Sequence, residues 1–129
     1  MTEIQKVILD YKENLFNKLL EATEFEDITK GRKGAILVDT KNGLIPLVRT
    51  TTKYEKPPQK FKHIHYDIIE KIKGNFNNAL IEVYDNKYCT MGFHSDQSLD
   101  LEKDSYIAIY TCYEKVSTNL RKLIVKNKI

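Results

Sequence analysis

The chain has 129 residues, 41% of them hydrophobic and 30% charged, and a net charge of +3. This composition is typical of one globular domain and excludes a globally disordered chain. No apolar run approaches the roughly 18 residues of a membrane span, and the charged N-terminus excludes a signal peptide. We therefore expect a soluble, intracellular protein with no membrane partner. Cys89 and Cys112 are too few for a disulfide framework or a zinc site.

The first half of the chain predicts a helix followed by a β-hairpin. The helix spans residues 3–20, where apolar residues recur at helical spacing. Residues 21–34 are polar and contain two glycines, so we expect a loop. Residues 35–54 predict the hairpin, because Asn42-Gly43 separates two apolar, partly β-branched runs.

The second half predicts another helix and then four short strands. The helix covers residues 60–73 and ends at Gly74. The expected strands are 79–84, 88–93, 105–113 and 120–125, with a turn at 85–87 and a polar loop at 97–104. This order of elements predicts an α+β fold in which N-terminal helices pack on a mainly antiparallel sheet.

One short motif carries chemistry. His94 and Asp96 follow the predicted strand 88–93 with one residue between them. On an extended backbone, residues i and i+2 point to the same side, so both side chains can reach one metal ion. One imidazole and one carboxylate are two thirds of the facial triad of non-haem iron oxygenases. By itself, this spacing is also that of a surface histidine beside a loop aspartate.

The surrounding segments resemble the AlkB-like branch of the Fe(II)/2-oxoglutarate dioxygenases. In that family a strand with an Asn-x-Tyr motif leads through a turn to Gly-x-His-x-Asp, and a strand of small and aromatic residues follows. Residues 77–97 and 104–114 match this order. Residues 46–54 loosely resemble the Pro/Arg segment that shapes the substrate side. The resemblance spans residues 35–125 and is specific around 78–114.

The resemblance implies that His94 and Asp96 bind Fe(II) and that Tyr84 contacts the co-substrate 2-oxoglutarate. Glu82 stands where the family usually has asparagine. A carboxylate beside a dianionic co-substrate is unfavourable. Either Glu82 points elsewhere, or the co-substrate site is altered.

Two further parts of the family's site have no match. The second iron histidine and the arginine for the distal carboxylate lie downstream in the family, but no histidine follows His94, and Arg121 is the only later arginine. His65 lies on the apolar face of the second predicted helix, where we expect a core residue, and we expect His63 to be solvated.

We therefore expect one domain over residues 1–129, an incomplete half of a double-stranded β-helix (jelly-roll). It would be the N-terminal part of the dioxygenase core, by natural truncation, as a split-gene product or as an engineered piece.

The resemblance implies an oxidative demethylase or hydroxylase acting on an alkylated nucleic acid or a modified protein, inactive alone because its site is incomplete. The alternative is a non-catalytic remnant or interaction module that pairs through an open sheet with a complementing chain or a second copy.

Overall fold

A computed structural model describes residues 5–6, 14–41, 53–72, 74–85, 101–115 and 123–124. The described chain forms two short helices and a four-stranded mixed sheet, so the predicted α+β class is confirmed. In chain order the elements are α1 (Phe16–Glu21), β1 (Glu26–Thr29), β2 (Arg32–Val38), β3 (Gln59–Lys60), α2 (His63–Lys71) and β4 (Asn78–Tyr84).

Strand β2 is the centre of the sheet. Along one edge it pairs antiparallel with the whole of β4, from Arg32 opposite Tyr84 to Val38 opposite Asn78. Its other edge is shared, because β1 pairs antiparallel with the first half of β2 and β3 pairs parallel with its last two residues. Two of the three pairings are antiparallel, and the four described strands do not close into a barrel.

The main core lies between the sheet and the two helices. Leu15, Leu19 and Ile68 form its buried centre, and Ile81 of β4 packs against them. The end of β2 is buried on both faces, since residues 35–38 are each 9% exposed or less. Burial on both faces explains why this stretch is apolar without alternation. Within the described ranges, no helix is long and apolar enough to cross a membrane.

The predicted loop over residues 21–34 is wrong, because a hairpin of β1 and β2 occupies most of it. Its turn uses Gly31 at φ 78°, a left-handed conformation that glycine adopts without steric cost. The sequence pattern does not indicate β1, because this strand contributes only one aliphatic side chain, that of Ile28. Of the hairpin predicted over residues 35–54, β2 covers 35–38, whereas Asn42, Gly43 and residues 44–52 lie outside the described residues.

The predicted helix over residues 3–20 is wrong in its start, since α1 begins at Phe16 and residues 5–6 and 14–15 are not helical. The Oδ1 atom of Asn14 accepts a hydrogen bond from the Phe16 backbone N–H at 3.0 Å, a local turn that competes with helix. The second helix is confirmed, with α2 shorter than predicted at both ends. The strand predicted at 79–84 is also confirmed, as β4.

The strand predicted at 105–113 is absent from the described chain, which shows no ladder there. Its alternation persists nevertheless, because Tyr110 and Cys112 pack against the helical core while Ile109 and Thr111 are exposed. Alternating burial of side chains therefore does not by itself indicate the backbone ladder of a strand. The predicted strand at 120–125 is not formed at residues 123–124, and the strand at 88–93 lies outside the described residues.

Candidate functional site

Tyr84 is the only one of the three predicted site residues that lies within the described chain. It is the last residue of β4, the strand that precedes the His-x-Asp motif in sequence. His94 and Asp96 fall outside the described residues. The site can therefore be built from β4 and from the side chains that contact Tyr84.

The Tyr84 hydroxyl donates a hydrogen bond to Oε2 of Glu82, two residues earlier on the same strand. The other carboxylate oxygen, Oε1, accepts a hydrogen bond from the Arg32 guanidinium at 2.6 Å. Each oxygen of Glu82 thus has a charged or hydroxyl donor. We call Arg32, Glu82 and Tyr84 the carboxylate triad.

The register of β2 and β4 brings the triad together. Arg32 stands opposite Tyr84, and Gly34 stands opposite Glu82. Directly opposed residues of antiparallel strands project to the same face, and so do residues i and i+2 of one strand. The three side chains therefore share one sheet face with Gly34, which stands opposite Glu82.

Gly34 is needed for close packing beside the triad. A Cβ atom on Gly34 would lie 2.6 Å from Cδ1 of Ile28 and 3.3 Å from the Tyr54 hydroxyl. Since these side chains occupy the volume that a larger residue would fill, the Gly34 position is closed to side chains.

The triad bears on whether the negative charge of Glu82 would repel a dianionic co-substrate. Glu82 points to the same face as Tyr84, but the Arg32 guanidinium compensates its charge at contact distance. The Arg32 and Glu82 side chains are 19% and 17% exposed, so water screens their ion pair only in part. The Tyr84 proton, however, is already engaged by Glu82. Contact between this proton and a co-substrate requires the Tyr84–Glu82 bond to open.

The two histidines of α2 behave as the sequence predicts. His63 has a side chain that is 93% exposed, with Nε2 3.5 Å from Oδ2 of Asp67 one turn later. His65 is 6% exposed, and its Nδ1 atom accepts the backbone N–H of Lys62. Burial, and then the Lys62 charge, lower the pKa of His65. His65 is therefore a neutral core residue that helps to start α2.

A second polar cluster joins α2 to the end of β2. The Tyr66 hydroxyl donates to Oδ1 of Asp39 at 2.7 Å, and the backbone N–H of Lys41 donates to the same atom at 2.8 Å. The Lys41 ammonium lies 3.9 Å from the Tyr66 ring centroid, a cation–π contact. Asp39 is 5% exposed. A buried carboxylate with these donors stabilises the junction and has no visible chemical task.

The described ranges contain no group of three histidine, cysteine, aspartate or glutamate side chains placed to hold a metal ion. Cys112 is a half-buried free thiol, and burial raises its pKa.

Arg32 is not among the residues that the sequence predicts for the site. Its neighbours in sequence, Gly31 and Lys33, suggest a polar loop, and nothing in a single sequence indicates that Arg32 faces a glutamate fifty residues away. The feature that would reveal this contact is the register of β2 against β4, and that register depends on where the β1–β2 turn lies. No family model, no curated protein and no solved structure matches this chain.

Proposed function

We propose that the chain is part of an Fe(II)/2-oxoglutarate-dependent oxygenase of the AlkB-like kind. In this proposal, His94 and Asp96 are two of the iron ligands, and Tyr84 contacts the co-substrate. The substrate class is an alkylated nucleic acid or a modified protein side chain, as the sequence resemblance implies.

One observation supports the proposal most. Tyr84 lies at the end of β4 and shares a sheet face with a glutamate whose charge is compensated by Arg32. Without Arg32, the Glu82 carboxylate would repel a dicarboxylate beside Tyr84. The fit is conditional, because the Tyr84 hydroxyl must leave Glu82 before it can donate to a co-substrate.

The reaction in this proposal belongs to the bound iron and its co-substrate. Iron with 2-oxoglutarate and O₂ supplies oxidation of a C–H bond with release of succinate and CO₂, and oxidation at an N-methyl group ends in loss of formaldehyde. The chain's own residues would position the metal: His94 and Asp96 would together hold it if their segment is extended, because residues i and i+2 of an extended backbone point to the same side. Tyr84 orients a carboxylate by donating one hydrogen bond.

The third iron ligand is not accounted for by the described histidines. His65 is buried with Nδ1 engaged, and His63 lies on the exposed face of α2 beside Asp67. Two protein ligands leave most of the coordination sphere to water, so the 129 residues alone should bind metal weakly. They should also fail to turn over 2-oxoglutarate.

Titration with Mn(II) or Fe(II) under anaerobic conditions tests the ligand assignment. We expect weak binding by the 129-residue protein, weaker still after His94→Ala or Asp96→Ala and unchanged after His63→Ala. The His63→Ala variant is the matched control, because it removes an exposed imidazole. Tight binding that survives His94→Ala would show that the ligand assignment is wrong. Production of succinate by the pure chain, abolished by Asp96→Ala, would show that a complete iron site exists without a further chain.

A second candidate function is that of an interaction module. Among the described strands, none pairs with the outer edge of β4. Tyr106, Ile107 and Ile109 are 60%, 48% and 61% exposed, an apolar stretch of high β-propensity without internal charge. Such a stretch favours pairing with another chain or a second copy.

Light scattering at several concentrations tests this candidate. Self-association that decreases after Ile107→Lys or Ile109→Lys supports it, because a charge at an exposed strand-like position opposes edge pairing. The matched control is a lysine at the exposed polar residue Thr111. A strictly monomeric, cooperatively unfolding protein would refute it.

A further inference from the structure

In the carboxylate triad, two donor side chains bind an anion, and that anion is another side chain of the protein. One guanidinium and one phenol hydroxyl bind the two oxygens of a single carboxylate from two sides. This arrangement presents one donor to each oxygen, which matches a carboxylate better than a spherical anion. The carboxylate that fills it is the Glu82 side chain.

We propose that Arg32 and Tyr84 form a binding site for a ligand carboxylate, which Glu82 fills in the free protein and vacates when the ligand binds. The ligand class is a small carboxylic acid. Its identification as a 2-oxo dicarboxylate rests on the proposed function, whereas the site itself rests on the triad's geometry alone.

Exchange between Glu82 and a ligand is physically reasonable at this position. The Arg32 and Glu82 side chains are each about one fifth exposed, at 19% and 17%, so a small solute can approach them from solvent. Both donors belong to paired strands, Arg32 to β2 and Tyr84 to β4, and the ladder fixes the positions of their Cα atoms opposite each other. Glu82, by contrast, reaches them through rotatable side-chain bonds and can turn away without disturbing the ladder.

The internal carboxylate also sets how tightly a ligand binds. Glu82 is tethered next to its donors, so it competes at a high effective concentration and lowers the apparent affinity for any external carboxylate. Its displacement frees the Tyr84 proton for the ligand. Because Glu82 competes with every ligand, a ligand that makes further contacts, through a second carboxylate or a metal-bound 2-oxo group, would bind better than a simple carboxylate.

The test compares carboxylate binding by the wild-type protein and by Glu82→Gln, without metal, by NMR titration with 2-oxoglutarate and with acetate. Glutamine keeps the size of the side chain and removes the competing charge. We expect Glu82→Gln to bind both probes roughly tenfold more tightly than wild type, the order expected when a charged hydrogen-bond competitor is lost. Sodium chloride at equal ionic strength should not produce the same shifts.

Variants of the donors complete the test. Arg32→Gln or Tyr84→Phe, each combined with Glu82→Gln, should lose the gained affinity, whereas Lys33→Gln should keep it. Lys33→Gln makes the same charge change on the neighbouring residue of β2, which is exposed on the opposite face. Should Glu82→Gln fail to fold, Glu82→Asp provides the second variant, because its shorter side chain keeps the charge but reaches the donors less well.

Equal affinities of wild type and Glu82→Gln, tight binding that survives Arg32→Gln, or no binding by any variant would overturn the proposal. Repeating the titrations in a His94→Ala background separates this inference from the proposed function. Metal-independent carboxylate binding that persists there supports the triad even if no iron site exists. Loss of carboxylate binding on His94→Ala alone would place the ligand elsewhere.

Discussion

The Nδ1 atom of His65 accepts a hydrogen bond from the backbone N–H of Lys62 at 2.8 Å, and this bond closes the first turn of α2. It is one half of a capping box; the other half cannot form, because a lysine side chain has no acceptor. Since Nδ1 accepts, the proton of the neutral ring is on Nε2, which is buried without a hydrogen-bond partner in the described part of the chain. A protonated ring would lose the Nδ1 acceptor and place a charge in the core.

Acidification should therefore destabilise the protein through His65. Its pKa lies below the ordinary value of 6.5 in the folded state, so the unfolded chain takes up the proton first as pH falls. The stability that the neutral ring contributes is fully present above pH 6.5 and is lost as pH falls through the folded-state pKa. Urea unfolding at pH 7.5 and pH 5.5 measures the loss.

The substitution His65→Gln separates the cap from the charge. Glutamine is favoured at this position of a capping box, so it can accept the Lys62 N–H without titrating. We expect His65→Gln to flatten the stability profile between pH 7.5 and 5.5, and His63→Gln on the exposed face to leave it unchanged. An identical acid response in wild type and His65→Gln would show that another group causes it.

The substitution Gly34→Ala should destabilise the sheet by about 1–3 kcal/mol, the usual cost of overpacking. The new methyl group would lie 2.6 Å from Cδ1 of Ile28 and 3.3 Å from the Ile81 carbonyl oxygen. The first contact can relax by rotation of a side chain, whereas the second involves the backbone of a paired strand. Chemical denaturation measures the change in the free energy of unfolding.

Combining Gly34→Ala with Ile28→Val tests the cause of this loss. Valine lacks the Cδ1 atom that the new methyl group would meet, so the double variant should be more stable than the sum of the single effects predicts. Contacting residues couple in this way, whereas independent sites add. Strict additivity would mean that the Ile81 carbonyl or the Tyr54 hydroxyl is the limiting contact.

Asn14 connects the start of α1 to a distant segment. Its Nδ2 atom donates to the carbonyl oxygens of Tyr113 and Glu114 at 2.6 and 3.2 Å, while Oδ1 accepts the Phe16 N–H. We expect Asn14→Ala to cost about 1 kcal/mol of unfolding free energy, as for other capping and exposed hydrogen bonds. Asn14→Asp keeps the acceptor but loses the donors, so its cost should reveal how much the distant connection contributes.

The Tyr66 hydroxyl should titrate above the ordinary tyrosine value. The hydrogen bond to Asp39 is the largest cause of its raised pKa, followed by burial and the Asp39 charge. The stabilisation of the folded state by the protonated Tyr66 hydroxyl is fully present below pH 10 and is lost as pH rises through the folded-state pKa. The spectrophotometric titration of wild type should show one tyrosine transition above pH 10 that Tyr66→Phe lacks. Asp39→Asn should move this transition toward pH 10. A Tyr66 transition with its midpoint at pH 10 in wild type, which retains Asp39, would contradict this.

Sequence patterns predicted the elements that carry strong local signals. The α2 region has apolar residues at helical spacing and a following glycine, and β4 is an apolar run between turn residues, so both were found. The β1–β2 hairpin was not predicted, because β1 and the start of β2 are polar and the turn depends on one glycine conformation. The segment at 105–113 was overpredicted, since alternation reports burial of Tyr110 and Cys112 but not strand pairing.

The candidate site was predictable only in part. The predicted strand that ends at Tyr84 is confirmed as β4, whereas the contact of Tyr84 with a co-substrate rests on the family resemblance and stays a prediction. The role of Arg32 could not be predicted, because the contact with Glu82 joins two strands far apart in sequence. Strand register determines such contacts, and a single sequence specifies register only through the positions of turns and the pattern of burial.

Strand β2 is hydrogen-bonded along both edges, to β1 and β3 on one side and to β4 on the other. Its amide hydrogens should therefore be the slowest in the described chain to exchange with deuterium, because releasing them requires the sheet to come apart. The β1–β2 hairpin is local and can form early in folding, whereas β4 must close a long loop before it pairs. Until that closure, Arg32 lies in its hairpin without Glu82 and Tyr84, so we expect the carboxylate triad to form only when β4 pairs with β2.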